Sequence, residues 1–367
     1  MQLLTKSILV ALLAAGGLSA CRPGGKDKTI YFTRKDFPET KSLSGEEVPL
    51  GLPGGRPLQY NIVRDSLAMV TYWESDTYFV DVVNFRNGRL VRQIARRGED
   101  SAAFVSCAIR YPNPADNYFT IHDITKQRVS KFNIDSMLAG SDYQGIHYNL
   151  PSFVKAPALY GNDTLVLFNS YFLKPGKSPM NPGSKTPVLF LPVANASEEG
   201  CMRIDSLMKP TFFTSNVSGG EILINPDRDL MWVVDNYRDQ IVIYRHKDKV
   251  VKRLTGPDNI RPEYEQHSDS SVYFKDAEYY RAYYPGACTD RHVYLLYLGV
   301  QGINLNATRV ERPVAILQFD WDGNLVRQYN VKEYLYNISI SPDEKFLYGT
   351  TVSKFGAPAK LMRYALP

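Results

Sequence analysis

Two stretches of the sequence share one pattern: Ile222-Leu-Ile-Asn-Pro-Asp-Arg-Asp-Leu-Met-Trp232 and Ile338-Ser-Ile-Ser-Pro-Asp-Glu-Lys-Phe-Leu-Tyr348. Each contains a short alternating strand, a Pro-Asp turn and a second apolar strand. Proline presets φ at the second position of a turn, and the aspartate that follows can bond its own backbone. The pattern therefore predicts a tight β-hairpin that recurs along the chain.

A second repeated unit surrounds the dipeptides Asn87-Gly88 and Asp322-Gly323. Both dipeptides lie between alternating apolar strands, and both are strong signals for a two-residue type I′ turn, in which both central residues have positive φ. Helical periodicity over ten or more residues is absent from the sequence after the N-terminal leader. The class predicted for this chain is therefore all-β.

Laid end to end, these units predict a six-bladed β-propeller with four-stranded antiparallel blades. The predicted blades span residues 58–98, 104–150, 153–212, 218–258, 280–332 and 335–366. The last blade shows only three clear strands. We expect Thr29 to Thr33 to supply its outer strand and to close the ring, which removes exposed strand edges. A β-sandwich, or two smaller β-domains, is the alternative.

The N-terminus has the features of an export signal: one basic residue, Lys6, and then an apolar run from Ile8 to Ala15. That run of roughly ten residues is too short to span a bilayer. The sequence Leu18-Ser19-Ala20-Cys21 is similar to the bacterial lipobox, which implies a diacylglycerol on the Cys21 thiol. We therefore expect a signal peptide over residues 1–20, a lipidated tether over 21–28 and a single propeller over 29–367. An ordinary signal peptide that is cut near a chance cysteine is the alternative.

Two short motifs carry a family resemblance. Arg96-Arg97-Gly98-Glu99-Asp100 with Phe104 resembles the blade ending of the TolB-like six-bladed propeller lipoproteins, known mainly from Bacteroidetes. The stretch from Ser341 to Lys345 is similar to the Ser-Pro-Asp-Gly-Lys turn of the same repeats. The resemblance covers most of residues 29–366. It implies the propeller fold and a place in the cell envelope, expected to be the periplasmic side of the outer membrane, and it implies no agreed activity.

The composition and the motifs exclude several kinds of partner and cofactor. The 43 basic and 38 acidic residues are interspersed, so nucleic acid is not expected as a partner. The five histidines form no HExxH or His-x-x-x-His pair, and no phosphate-binding or dinucleotide fingerprint is present, so we expect neither a metal nor a cofactor. Cys107, Cys201 and Cys288 have no CxxC spacing. Buried free thiols are favoured, although one disulfide is possible.

Candidate binding residues come from the loops that a propeller collects on one face around its channel. They are Trp73, Glu74, His122, Asp123, Asn169, Tyr171, Asp235, Asn236, Tyr237 and Arg238. Long insertions at 173–187 and 256–280 are expected on the same face. His122-Asp123 is the only adjacent histidine and carboxylate that could serve as an acid–base centre, but a strand-end histidine satisfied by a turn is the favoured interpretation.

These residues predict a membrane-anchored binding or scaffold module for an envelope protein or glycan. A hydrolase or lyase that acts on carbohydrate or peptide at the channel mouth is the alternative, and a structural subunit of an envelope complex is a third. No catalytic residue is assigned.

Overall fold

The structure is a computed structural model. It describes residues 29–50, 52, 57–64, 66–72, 76–111, 113–114, 116–140, 143–150, 157–160, 164–168, 188–192, 202–205, 220–225, 227–245, 249–260, 264–268, 271–274, 281–300, 314–351 and 359–367. The predicted signal peptide and tether, residues 1–28, lie outside the described residues.

Within these described ranges, the chain forms six sheets of four or five strands and one separate hairpin. The first sheet contains β4 (Pro57–Val63), β5 (Leu67–Tyr72), β6 (Tyr78–Asn84) and β7 (Arg89–Arg96), and the second contains β8 (Ala108–Arg110), β9 (Tyr118–Asp123), β10 (Arg128–Asn133) and β11 (Ile146–Asn149). The third contains β12 (Ala158–Tyr160), β13 (Thr164–Phe168), β14 (Val188–Pro192) and β15 (Met202–Asp205), and the fourth contains β16 (Gly220–Asn225), β17 (Leu230–Asp235), β18 (Gln240–Arg245), β19 (Lys249–Thr255) and β1 (Thr29–Tyr31). The fifth contains β22 (Arg281–Cys288), β23 (His292–Val300), β24 (Val314–Asp320), β25 (Leu325–Val331) and β2 (Thr40–Ser42), and the sixth contains β26 (Leu335–Ile340), β27 (Phe346–Thr351), β28 (Leu361–Ala365) and β3 (Gly45–Glu47). The hairpin is β20 (Tyr264–Ser268) with β21 (Ser271–Phe274).

The predicted Pro-Asp hairpins are confirmed. Leu223 pairs with Trp232 across β16 and β17, and Ile338 pairs with Gly349 across β26 and β27, both antiparallel. All six residues of β17 are buried, because each side of this strand packs against a neighbouring sheet. The all-β class and the four-stranded antiparallel blades of a propeller are thus confirmed. The number of blades in the ring remains a prediction.

The Asn-Gly and Asp-Gly turns differ from their predicted type. Gly88 and Gly323 have φ of 69° and 76°, but Asn87 and Asp322 do not adopt positive φ. In both hairpins the strand after the turn also holds one extra residue, since Val82 and Val83 pair with Arg92 and Leu90, and Gln318 and Phe319 pair with Arg327 and Leu325. An extra residue therefore forms a bulged hairpin, which needs left-handed backbone at the glycine alone.

The predicted closure of the last blade by Thr29 to Thr33 is wrong. Thr29–Tyr31 instead pairs in parallel with β19 at the outer edge of the fourth sheet. The chain then adds Thr40–Ser42 to the outer edge of the fifth sheet, in parallel with β25, and Gly45–Glu47 to the sixth, antiparallel to β28. We call residues 29–47 the N-terminal strap, because they cover the outer edges of three consecutive sheets.

Two aromatic anchors explain where the strap begins. Phe32 and Phe37 are buried and pack edge-on against Phe319 of the fifth sheet, each with ring centroids 5.7 Å apart. Burial of two phenylalanine rings contributes several kcal/mol and holds this part of the strap against the fourth and fifth sheets. The missing strand of the sixth sheet begins at Gly45, where a Cβ would lie 2.5 Å from the Tyr364 ring. Only glycine allows the chain to pass so close to that ring.

The first and sixth sheets contact each other directly. The Tyr60 backbone N–H donates to the Thr350 hydroxyl at 3.0 Å, and the Asn337 side-chain amide donates to the Tyr60 carbonyl at 3.0 Å. These bonds join residues that are almost 300 positions apart in the sequence. One short α-helix, α1 (Ile134–Ala139), follows β10, and no helix in the described ranges is both long and apolar enough to cross a membrane.

Candidate functional site

The carboxylate of Glu221 connects three sheets at their first strands. One oxygen lies 3.0 Å from Nη1 of Arg110 in the second sheet, and the other accepts the backbone N–H of Gly286 in the fifth sheet at 2.7 Å. Burial raises the pKa of Glu221, although Arg110 and the Gly286 N–H act in the opposite direction. The rise in pKa caused by lost hydration is therefore larger than the fall caused by Arg110 and the Gly286 N–H. We call Arg110, Glu221 and Gly286 the channel bridge.

A cavity of about 40 Å³ lies beside the channel bridge. It is lined by Arg110, Asp116, Tyr118, Thr120, Pro157, Ala158, Leu159, Glu221, Ile222 and Ile224. A water molecule needs roughly 10–15 Å³ measured in this way, so the cavity has room for a few waters and is too small for a sugar ring. Its polar side chains come mainly from the second sheet.

Asp116 carries an unusual carboxyl group at this cavity. Burial, together with the negative charges of Asp290 and Asp227, raises the pKa of Asp116 to about 7, although Lys131 acts in the opposite direction. Lys131 itself lies with its ammonium 4.1 Å from the centre of the Tyr118 ring. A carboxyl group that titrates near neutral pH is a feature of functional sites, although structural networks also produce it.

Asp116 should make the stability of the protein depend on pH. Between its ordinary pKa of 3.8 and its native value of about 7, the folded chain holds a proton that the unfolded chain has released. The free energy of unfolding should therefore fall as the pH rises from 4 to 7, by about 2 kcal/mol between pH 5 and 8 from this group. Asp116→Asn should abolish that fall and should raise the urea midpoint at pH 8.

The matched control is Asp343→Asn. The Lys345 ammonium and the Ser341 hydroxyl hold the pKa of Asp343 down, at about 2. This carboxylate therefore contributes stability above its unfolded pKa, which is lost only as the pH falls towards 2, and the profile from pH 5 to 8 should be unchanged. An equal response of the two variants between pH 5 and 8 would contradict the assignment.

An aromatic group with one arginine lies at the end of the channel wall. The Arg281 guanidinium lies 4.7 Å from the centre of the Tyr237 ring and 5.6 Å from that of Tyr284. The Tyr284 ring packs edge-on against Tyr336 at 5.8 Å, and the Tyr334 hydroxyl donates to the Tyr284 hydroxyl at 3.4 Å. We call these five residues the aromatic mouth. Cation–π contacts of this kind are worth about 0.5–1 kcal/mol when exposed and more when dry.

The aromatic mouth and the channel bridge are electrostatically continuous. Burial and Tyr284 raise the pKa of Tyr336, while the charges of both Arg110 and Arg281 lower it in part. The charge of one arginine from the channel bridge and one from the aromatic mouth therefore acts on the same tyrosine hydroxyl. Tyr336 thus connects the aromatic mouth to the channel bridge, and the channel bridge shares its cavity with Asp116.

Six of the ten residues of the predicted binding face can be located in the structure. Trp73, Glu74, Asn169 and Tyr171 lie outside the described residues. Asp235 accepts the backbone N–H groups of Tyr237 and Arg238 at 2.8 and 3.2 Å, and it also pairs with the Arg238 guanidinium at 3.1 Å. The Asn236 carbonyl accepts the N–H of Ala282 at 2.9 Å. Residues 235–238 therefore form a braced loop that presents Tyr237 to Arg281.

His122 and Asp123 serve different parts of the second sheet. Asp123 is buried and accepts the N–H groups of Val105, Thr125 and Lys126 and the Ser106 hydroxyl, so it stabilises a turn. His122 lies within the sheet, paired with Ala108 and Val129, and burial together with Arg110 lowers its pKa to about 4. Consecutive strand residues point to opposite faces. Asp123 therefore does not orient the His122 imidazole.

Sequence reasoning did not identify Arg110, Asp116, Glu221, Arg281 or Tyr284. The signal for Glu221 was a single charge in an otherwise apolar first strand, next to Gly220 and Ile222. Such a residue is expected to have a buried partner, but the partner comes from another sheet and cannot be identified from spacing.

The described cysteines are free and buried or half-buried. Cys107 and Cys288 are free thiols, and burial raises the pKa of each, while Cys201 lies outside the described residues. Within the described ranges, no three His, Cys, Asp or Glu side chains are grouped so that they could hold a metal ion. The described part of the chain therefore supplies no metal centre to add to the site.

Comparison with known proteins finds similarity to other propellers. Residues 199–343 match the family model described as TolB-like 6-blade propeller-like. No curated protein matches the sequence. A Bacteroides fragilis protein, named as a candidate exported protein, is similar in structure with a TM-score of 0.51 at 11% identity, over 93% of this chain and 100% of that one. A DUF4221-family protein from Bacteroides vulgatus gives a TM-score of 0.49 at 10% identity, over 89% of this chain and 96% of that one.

Proposed function

We propose that this chain is a TolB-like propeller and a lipid-anchored binding module of the cell envelope. The family-model match over residues 199–343 supports the first part of this proposal. A propeller fold suits a binding or scaffold role, because it holds loops rigidly around one channel. The anchor in this proposal is Cys21, and the location is the periplasmic side of the outer membrane. The name of the Bacteroides fragilis relative agrees with export.

The proposed ring has six blades, one for each sheet of four or five strands. The bonds from Tyr60 to Thr350 and Asn337 support closure between the first and sixth sheets. In that ring, Gly45–Glu47 completes the last blade with a strand from the start of the domain. This pairing joins a strand near the start of the propeller to a strand near its C-terminal end.

The observation that carries the binding proposal is the aromatic mouth. Tyrosine and arginine are the residues that dominate binding energy at interfaces, because they offer large, rigid apolar area together with a polar end. Arg281 is held between Tyr237 and Tyr284, so it is ordered before any ligand arrives. The ligand of this proposal is an envelope protein or glycan that docks on the mouth.

The second candidate, a hydrolase or lyase, is favoured by one observation, the pKa of about 7 at Asp116. A carboxyl group tuned to neutral pH could act as a general acid or base. However, the adjoining cavity of about 40 Å³ admits water and not a substrate. Binding at the mouth therefore agrees better with the geometry.

Site-specific photo-crosslinking in native envelopes tests the proposal. A photoreactive amino acid in place of Tyr334 should give one discrete adduct, and Arg281→Ala in the same chain should reduce its yield at least about fivefold, since a central interface residue costs 1 kcal/mol or more. A probe in place of Phe346 is the control, because it lies in a separate groove of about 490 Å³ between the first and sixth sheets. An adduct at Phe346 and none at Tyr334 would move the binding site to that groove.

A further inference from the structure

We propose that the outer rim of the fourth sheet, where the strap begins, lies on an anionic phospholipid surface. The inference deepens the proposed lipid anchor and rests on it. It concerns β1, its neighbour β19 and the 3₁₀ turn at Arg34–Asp36, which we call the strap rim.

Apolar side chains are unusually exposed at the strap rim. Tyr31 is 65% exposed, Val251 is 48% exposed and Ile30 is 37% exposed. Three of the eight large hydrophobic side chains that the structure describes as exposed are thus on two adjacent strands, β1 and β19. Exposed apolar side chains that share one edge favour an interaction surface over chance exposure, and tyrosine prefers the water–headgroup boundary of membranes.

The charge of the adjoining sequence has the sign that anionic lipid attracts. Residues 21–36 contain five basic side chains, Arg22, Lys26, Lys28, Arg34 and Lys35, against two acidic ones, Asp27 and Asp36, which gives a net charge of +3 in sixteen residues. Arg34 pairs with Asp258 at 3.6 Å, so the attraction to lipid rests on the other four basic side chains. The whole chain of 367 residues carries only +5. Each Lys or Arg held near an anionic membrane contributes about 1 kcal/mol at ordinary ionic strength.

The length and direction of the chain restrict how far the rim can be from the anchor. Eight residues, 21–28, connect the proposed acyl site to Thr29, and even a fully extended chain of that length reaches only about 28 Å. The first strand of the strap runs parallel to β19, from Thr29 beside Arg253 to Tyr31 beside Thr255. Its end at Thr255 is the end that carries the loop of Tyr237, because Thr255 also pairs with Gln240. The chain therefore runs through β1 towards the end that carries the Tyr237 loop, so the tether enters β1 from the opposite direction.

These observations give the module an orientation. The strap rim contacts lipid, and the aromatic mouth points away from the attachment point into the envelope space. Partners would then reach the mouth without competing with the membrane.

The chain offers a matched control on the first sheet. Its outer strand β7 also combines exposed apolar side chains, Leu90 and Val91, with basic ones, Arg89 and Arg92, but it is not joined to the anchor. If basic and apolar character alone determined membrane contact, β7 would serve as well. Position next to the tether is what distinguishes the strap rim.

The experiment uses the mature chain from residue 21 with Cys21→Ser, so that no acyl chain contributes, and vesicles of phosphatidylcholine with 30% phosphatidylglycerol. Cosedimentation should show binding that falls on pure phosphatidylcholine and in high salt. Tyr31→Asp should weaken binding about tenfold, because it removes an interfacial aromatic side chain and adds a negative charge. Val91→Asp should leave binding unchanged. A larger effect of Val91→Asp than of Tyr31→Asp, or no binding to either vesicle, would overturn the proposal.

Two further measurements separate this proposal from the anchor on which it rests. The intact mass of the membrane-extracted native protein reports whether Cys21 is acylated, independently of the rim. For the acylated protein on the same vesicles, hydrogen exchange in residues 29–34 and 250–255 should be slower than in the unacylated chain in solution, while residues 89–94 should be unchanged. An acylated chain without that protection retains the anchor and refutes the lipid-facing rim.

Discussion

Gly256→Ala should destabilise the protein by about 3–4 kcal/mol and should release the start of the strap. Gly256 has φ of 153°, a backbone conformation that side chains rarely adopt, and a Cβ there would lie 2.1 Å from the carbonyl oxygen of Phe32. That carbonyl belongs to backbone and cannot move away alone, because the Phe32 N–H is bonded to Thr255 and the Phe32 ring is buried. The alanine therefore forces apart the strap and the end of β19. Urea unfolding would measure the loss.

Gly140→Ala is the matched control for the same chemical change. Gly140 has ordinary extended backbone, with φ of −121° at the end of α1, and the nearest atom to an added Cβ is the Ser136 carbonyl oxygen at 3.7 Å. We expect this variant to lie within about 0.5 kcal/mol of the parent. Hydrogen exchange should become faster at residues 29–33 in Gly256→Ala alone. Equal midpoints for the two variants would show that the strap does not depend on this contact.

The repeated hairpins were predictable, because each depends on a few neighbouring residues. The Pro-Asp turn between Ile338 and Tyr348 specifies its own geometry through proline φ and aspartate bonds, and the structure contains the predicted hairpin. The path of the strap was not predictable in the same way. Thr29 to Thr33 reads as a strand with no indication of its partner, and the choice is made by Phe32, which packs against Phe319 almost 290 positions away. Pairing of this kind depends on tertiary packing and not on local sequence.

The candidate site likewise contains residues that local sequence could predict and residues that only tertiary packing brings together. Tyr237 was identified because it follows a strand end in a loop that propellers expose on one face, and the structure places it on Arg281. Glu221 comes from the fourth sheet, whereas Arg110 and Asp116 come from the second, and they matter only because the fold brings the two sheets together. The spacing of residues within one sheet does not indicate which residues of another sheet they contact. The pKa of Asp116 depends on two carboxylates from other sheets for the same reason.

Arg110→Met should destabilise the protein by about 3–4 kcal/mol at pH 8, because it leaves the buried Glu221 carboxylate without its cation. Glu221 retains only the Gly286 N–H at 2.7 Å, and its pKa, already raised by burial, rises further. A carboxyl group whose native pKa is raised is protonated in the folded state first, so stability falls as the pH increases. The deficit of Arg110→Met should therefore shrink between pH 8 and pH 5, as measured by urea midpoints. A deficit that does not change with pH would show that Arg110 acts by packing alone.

The double variant Arg110→Met with Glu221→Leu separates the cost of an orphaned charge from the value of the pair. Burial outweighs attraction at Glu221, so we expect the double variant to regain all but about 1 kcal/mol of the parent stability, the remainder being the unpaired Gly286 N–H. The control is Glu47→Leu, which breaks the exposed pair with Lys360, whose side chains are 50% and 54% exposed, and should change stability by less than about 0.5 kcal/mol. If the double variant were no more stable than Arg110→Met, the channel bridge would be a net source of stability. The three sheets would then be held together by charge and not by the apolar contacts around it.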